Sequence, residues 1–84
     1  MKYLQEKMHL LGERHSNVYI IKTPEEKYIV SIPDLHWSAQ IGCLEEFQQK
    51  VEYLNDSLSF HLYEGNSYEL AYRLSKLTEL NIFR

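Results

Sequence analysis

Two histidines, His36 and His61, are the side chains of this chain best placed to do chemistry, because each lies in a segment where apolar and polar residues alternate. Residues 35–41 read Leu-His-Trp-Ser-Ala-Gln-Ile, and residues 57–63 read Ser-Leu-Ser-Phe-His-Leu-Tyr. If these are neighbouring strands, His36, Ser38, Gln40, Ser57, Ser59 and His61 share an outward face, with Asp34 beside them. Two imidazoles there could hold a metal ion, and an imidazole beside a serine could activate its hydroxyl as a nucleophile. Both need a strand register that the sequence does not specify, and histidine is ordinary on a wet sheet face. The sequence therefore predicts no catalytic residue, no metal ligand and no cofactor. It assigns His36, Ser38, Gln40, Ser59 and His61 to a binding surface.

The remaining reactive groups are isolated. Cys43 is the only cysteine, which excludes an intrachain disulfide and a cysteine-based zinc site. It begins an expected helix, where the dipole can lower a thiol pKa, but no base accompanies it, and a partly buried structural thiol is expected. His9 and His15 have no supporting pattern.

The elements that must position these residues are read from periodicity. Strand side chains alternate between faces, so Leu35, Trp37, Ala39 and Ile41 are expected to face a core with Leu58, Phe60 and Leu62. Val18–Lys22 and Tyr28–Ile32 are rich in β-branched and aromatic residues. They flank Thr23-Pro24-Glu25-Glu26-Lys27, which reads as a hairpin loop. Pro33 cannot donate to a ladder and marks a strand end, bulge or edge, and Asp34 is a turn residue. Leu44, Phe47, Val51 and Leu54 form an amphipathic stripe that predicts a helix over Leu44–Asn55, with Glu45 and Glu46 at the positive end of its dipole. A strand over Ser57–Tyr63 is preferred to a longer helix, which would leave Phe60 poorly placed.

Glu64-Gly65-Asn66 reads as a turn, with Asn66 capping a helix over Ser67–Leu80 and Glu69 completing a capping-box arrangement. Leu70, Ala71, Leu74, Leu77 and Thr78 share that helix's inner face. At the N-terminus, Leu4, Met8 and Leu11 suit a short helix ending at Gly12, with a leading strand as the alternative. The expected fold is α+β: one domain over residues 1–84, a small antiparallel sheet of about three to four strands, and helices packed on one face.

Size and charge bound the function. An 84-residue chain has one small core, and surface scaling predicts roughly 5,300 Å² exposed after folding. The net charge is −3, and the nine lysines and arginines are scattered. Nucleic-acid binding relies on concentrated positive charge, so nucleic acid is not an expected partner. The first fifteen residues lack the continuous apolar run of a signal peptide, and no window approaches a membrane span, so no membrane association is expected and the cytoplasm is the expected compartment. Seven tyrosines suit an interface, because tyrosine joins an apolar body to a polar tip.

The run Ile32-Pro33-Asp34-Leu35, followed by Gly42 and Leu44-Glu45-Glu46, resembles the HicB-type antitoxin domain over residues 17–63, including a strand after the helix. Trp37-Ser38 and Phe47 stand where that family carries Gly-Cys and a helix alanine. Over its whole length the chain looks more like the YueH-like proteins of Gram-positive bacteria. The likeness lies in size, in Pro33-Asp34 and Trp37-Ser38 after a strand, and in the leucine-rich terminal helix beginning near Tyr68-Glu69. That resemblance carries over no activity, ligand or catalytic residue. The expected function is a non-enzymatic protein-interaction or regulatory module whose partner is another protein or a second copy of the chain. The alternatives are an antitoxin-type neutraliser of a partner toxin, or a small enzyme using the His36/His61 face.

Overall fold

Strands β1 (Lys2–His9), β2 (His15–Lys22), β3 (Lys27–Ile32) and β4 (Trp37–Gly42) precede helices α1 (Phe47–Phe60) and α2 (Ser67–Thr78). A 3-10 turn, Pro33–Leu35, separates β3 from β4, and another, Asn81–Phe83, follows α2. This computed structural model describes residues 2–10, 15–61, 63 and 65–83. The sheet is antiparallel, in the spatial order β1-β2-β3-β4.

The β2–β3 hairpin forms where the sequence places it. The Thr23 amide donates to the Lys27 carbonyl at 2.8 Å, and Glu26 takes the left-handed conformation (φ 59°) that closes the loop. Pro33 opens the next 3-10 turn, where its missing N–H costs nothing. His36, also left-handed (φ 51°), then redirects the chain into β4.

One sheet face carries Val18 and Ile20 of β2, Tyr28, Val30 and Ile32 of β3, and Trp37 and Ile41 of β4, all buried. Both helices cover that face, with Val51, Leu54 and Leu58 from α1 and Leu70, Ala71 and Leu74 from α2. Trp37 is core, as expected, and its indole N–H donates to Ser57 Oγ at 3.0 Å. The accessible surface is 5477 Å², close to the size-based expectation.

The expected strand over 35–41 begins only at Trp37, since Leu35 ends a 3-10 turn and His36 is left-handed. Three further expectations are corrected. Residues 2–9 are a strand, the alternative to the predicted helix, and pair with β2 from Lys2↔Lys22 to His9↔His15. Leu4 and Met8 still share one side, because a spacing of four keeps one face in a strand as well as in a helix. The predicted end of that element, Leu11 and Gly12, lies outside the described residues.

The second correction concerns Ser57–Tyr63. Residues 57–60 are the last turn of α1, so they form no strand. Val51, Leu54 and Leu58 repeat at three and four residues and are fully buried, whereas Phe60, which the strand reading placed in the core, is 90% exposed. Ser57, expected outward, is half-buried against Trp37. Tyr63 is irregular and half-buried; Leu62 and Glu64 lie outside the described residues.

The third is the start of α1. Leu44 lies in the preceding turn, 89% exposed, and Cys43, half-buried, is in that turn too, so it does not open the helix. Glu46 is the N-cap, in a reciprocal capping box with Gln49. Helix α2 begins as expected, with Asn66 Oδ1 accepting the Glu69 amide at 2.9 Å, and ends at Thr78, two residues before the expected Leu80.

Candidate binding surface

Because the helices occupy one side of the sheet, the opposite side is left uncovered by either of them. Its composition follows from register. Tyr3 pairs with Ile21, Ile21 with Ile29, and Ile29 with Gln40, so one row of outward side chains crosses all four strands. The next row runs Gln5, Tyr19, Ser31 and Ser38. Tyr3 is exposed, and Tyr19, Ile21 and Ile29 are half-buried. An apolar centre of isoleucine and tyrosine is thus bordered by glutamine and serine. Lys7 and Lys27 share this parity of the register, and no carboxylate of the four strands does, because Glu6 points to the other side.

The five residues assigned to a surface divide into two groups. Ser38 and Gln40 lie on the outward sheet face and are exposed. His36, Ser59 and His61 are exposed but lie elsewhere, because His36 is the left-handed residue that ends the Pro33–Leu35 turn before β4, Ser59 is in α1 and His61 ends that helix. Ser67 Oγ donates to Asn55 Oδ1 at 2.7 Å, which leaves Ser59 as donor in its 3.0 Å contact with Ser67. His61 caps α1, and its Nε2–H donates to the Leu35 carbonyl at 2.8 Å. The two histidines therefore reach the same corner, His61 bonding the carbonyl just before His36, by a helix end meeting a turn. Asp34, in that turn, is exposed. Among the described residues, no group of three His, Cys, Asp or Glu side chains could hold a metal ion.

Sequence reasoning missed two features. The first is the outward row itself, signalled by Tyr19-Ile20-Ile21 and Tyr28-Ile29-Val30. Consecutive apolar residues there depart from the alternation of a one-sided sheet. The second is Lys50, 2% exposed. It stands three residues after Phe47 and four before Leu54, on the buried stripe of α1. Its ammonium donates to Thr78 Oγ1 at 2.8 Å, lies 3.6 Å from the Glu79 carboxylate and sits 5.4 Å from the centre of the Tyr28 ring. Tyr28 in turn donates to the Thr78 carbonyl at 3.1 Å. Burial of a charge is tolerated when it is paired and hydrogen-bonded, and this cluster ties α1 and β3 to the end of α2.

At the far edge, a groove of about 350 Å³ runs between β1 and α2, with Met8, Tyr72 and Leu77 along it and Glu6, Lys7, Arg73 and Lys76 at its rim. At one end of β1 the His9 and His15 rings meet at a tilt of 56°, with centroids 3.9 Å apart. Nearby, Tyr63 donates to the Leu10 carbonyl at 3.0 Å. Burial, reinforced by the Glu69 charge and opposed by Arg73, raises the Tyr63 pKa above its ordinary 10.0. Gly65 lets the phenol lie close, since a Cβ there would come 2.7 Å from Tyr63 Cζ and push the ring aside.

A four-stranded meander with two helices on one face and an open opposite face defines a small α+β protein. The YueH-like protein family model matches residues 2–80, and the chain belongs to that family. No curated protein and no solved structure matches it. The local likeness to the HicB-type domain loses its strand after the helix, which is α1 here. No helix among the described residues is long and apolar enough to cross a membrane.

Proposed function

We propose that this protein works by contact rather than catalysis, as an interaction module that docks a partner protein on its outward sheet face. One observation carries the reading: the row Tyr3–Ile21–Ile29–Gln40 gives an uncovered sheet face an apolar centre and a polar rim. That is the layout of protein interfaces, and tyrosine is enriched among residues that anchor them. The chemistry of the partner follows from charge. With Lys7 and Lys27 on this side and no strand carboxylate, the face suits an apolar surface bordered by acidic residues. A chain of net charge −3 thus has a face to which an acidic partner can come without repulsion.

The test is differential capture from the native cell with three baits: wild type, Ile21→Ser/Ile29→Ser, and Tyr53→Ser/Phe60→Ser on the exposed side of α1. The reading predicts a partner retained by wild type and the helix variant and lost by the sheet variant, with all three folded by circular dichroism. Equal retention by the sheet variant removes this face from the interaction.

A further inference from the structure

The sheet has two ends, and they differ. Strand β4 is six residues long and contacts α1; β1 is eight residues long, contacts the Asn81–Phe83 turn, and none of its described residues is buried. No described strand pairs with the far edge of β1. In an antiparallel pair, alternate residues direct their amide and carbonyl groups away from the partner strand, so that edge presents a row of backbone donors and acceptors. Beside it lies the β1–α2 groove, where Met8 and Leu77 are half-buried and the rim carries Lys7, Arg73 and Lys76 against Glu6. An open edge beside a partly apolar groove suits an added strand.

We propose that the added strand is β1 of a second copy, paired antiparallel about a two-fold axis at Gln5. A two-fold axis normal to the sheet keeps inward residues inward, so opposed residues must share parity. Centred on Gln5, the pairing sets Tyr3 opposite Lys7, Leu4 opposite Glu6 and Lys2 opposite Met8. No like charges face each other, Lys7 meets an aromatic ring, and Lys2 lies diagonal to the partner's Glu6, within reach of an opposite-charge pair. The next registers that retain this parity set Glu6 against Glu6 or Lys7 against Lys7 when the centre moves toward the C-terminal end of β1. Centring on Leu4 avoids that repulsion but shortens the ladder.

The pairing also accounts for the side of β1 that faces the helices. Leu4 and Met8 are half-buried and Glu6 is exposed. In the dimer Leu4, Glu6 and Met8 enter the space between the two α2 helices, where Arg73 and Lys76 of either copy meet the carboxylates. The result is one eight-stranded sheet. It places the two Tyr3–Ile21–Ile29 rows on the same side of one sheet, offset by four residues along the strands, and so enlarges a face that alone is small beside the ~20–30 residues a side of a standard interface. Association of copies does not depend on the docking reading, so each can fail alone.

The test combines mass with cysteine trapping. Sedimentation of the wild-type chain over a range of concentrations is expected to show a dimer dissociating to monomer on dilution. In a Cys43→Ser background, Gln5→Cys is then expected to form a covalent dimer under mild oxidation. Opposed residues of an antiparallel pair lie about 4.5–5.5 Å apart at Cα, within disulfide reach. Glu6→Cys and Lys7→Cys, whose symmetry mates lie farther away, are expected to remain monomeric on denaturing gels. A wild-type chain that stays monomeric at every concentration overturns the proposal, whatever the variants do. So does a dimer trapped through Glu6→Cys or Lys7→Cys instead of Gln5→Cys. Partner capture lost with Ile21→Ser/Ile29→Ser but from a monomeric bait refutes this pairing alone and leaves the docking reading standing.

Discussion

The two faces of the β2–β3 hairpin carry nearly the same residues and have different fates. Ile20 and Val30 are cross-strand partners on the inner face, each at 0% exposure, sealed by both helices. One position away, Ile21 and Ile29 are cross-strand partners on the outer face, half-buried and uncovered by either helix. Residue type does not separate them; coverage does. Apolar area removed from water stabilises by roughly 25 cal/mol per Å², so the inner pair contributes its full share to folding. The outer pair retains part of that energy for a surface that comes later.

The comparison breaks most visibly at the largest inner residue. Trp37→Ala is expected to cost roughly 3–5 kcal/mol, through the cavity it leaves beneath α1 and the lost bond to Ser57. The outer Ile29→Ala is expected to stay within about 1 kcal/mol. Urea denaturation of the two variants checks the contrast, and comparable losses would mean that the outer face is as buried as the inner.

A sharper contrast lies within one turn of α1. Leu58→Ala is expected to cost about 2–5 kcal/mol, and Phe60→Ala to fall within about 0.5 kcal/mol. Thermal melts of this pair also test the helix itself, since a strand over the same residues would make both losses large.

That turn shows how much of the fold the sequence could reveal. The β2–β3 hairpin, the alternation of Trp37, Ala39 and Ile41, and the Asn66 cap were legible because each depends on local chemistry. The two misread elements share one ambiguity, because a spacing of four is both even and close to a helical turn. Leu4 and Met8 fit a helix, yet β2 offers them a ladder. By spacing, Leu58 and Leu62 fit a strand and a helix alike, and Ser57 and Asn55 are held by Trp37 and Ser67 across the fold. Long-range partners decide such cases, and periodicity does not contain them.

The candidate site was legible in the same proportion. Ser38 and Gln40 were placed correctly on the outward face because β4 was. His36, Ser59 and His61 were not, because His36 turns the chain into β4, Ser59 meets Ser67 of α2, and His61 sits at a helix end bonded to the Leu35 carbonyl. Ile21 and Ile29 were visible as breaks in alternation. Lys50 was hidden by its type, since a lysine on a helix is ordinarily a solvated residue.

The smallest effect lies at the end of β1 and depends on pH. Burial raises the Tyr63 pKa above 10.0, so the native state holds that proton more tightly than the unfolded chain. The stability linked to it is complete below the unfolded pKa and declines as pH rises through the folded one. Tyr63→Phe is therefore expected to lose less stability than wild type above about pH 10, the ordinary pKa of tyrosine, and parallel alkaline denaturation curves would contradict the assignment.

The central claim is that association uses the outer row, and tyrosine footprinting of the captured complex tests it most directly. Tyr3 and Tyr19 lie on the outer face, while Tyr53 and Tyr68 are exposed on the helices. Hydroxyl-radical labelling of free and partner-bound protein is expected to show Tyr3 and Tyr19 protected in the complex and Tyr53 and Tyr68 unchanged. Protection of Tyr53 and Tyr68, with Tyr3 and Tyr19 labelled as in the free chain, would move the contact to the helical side and contradict the account.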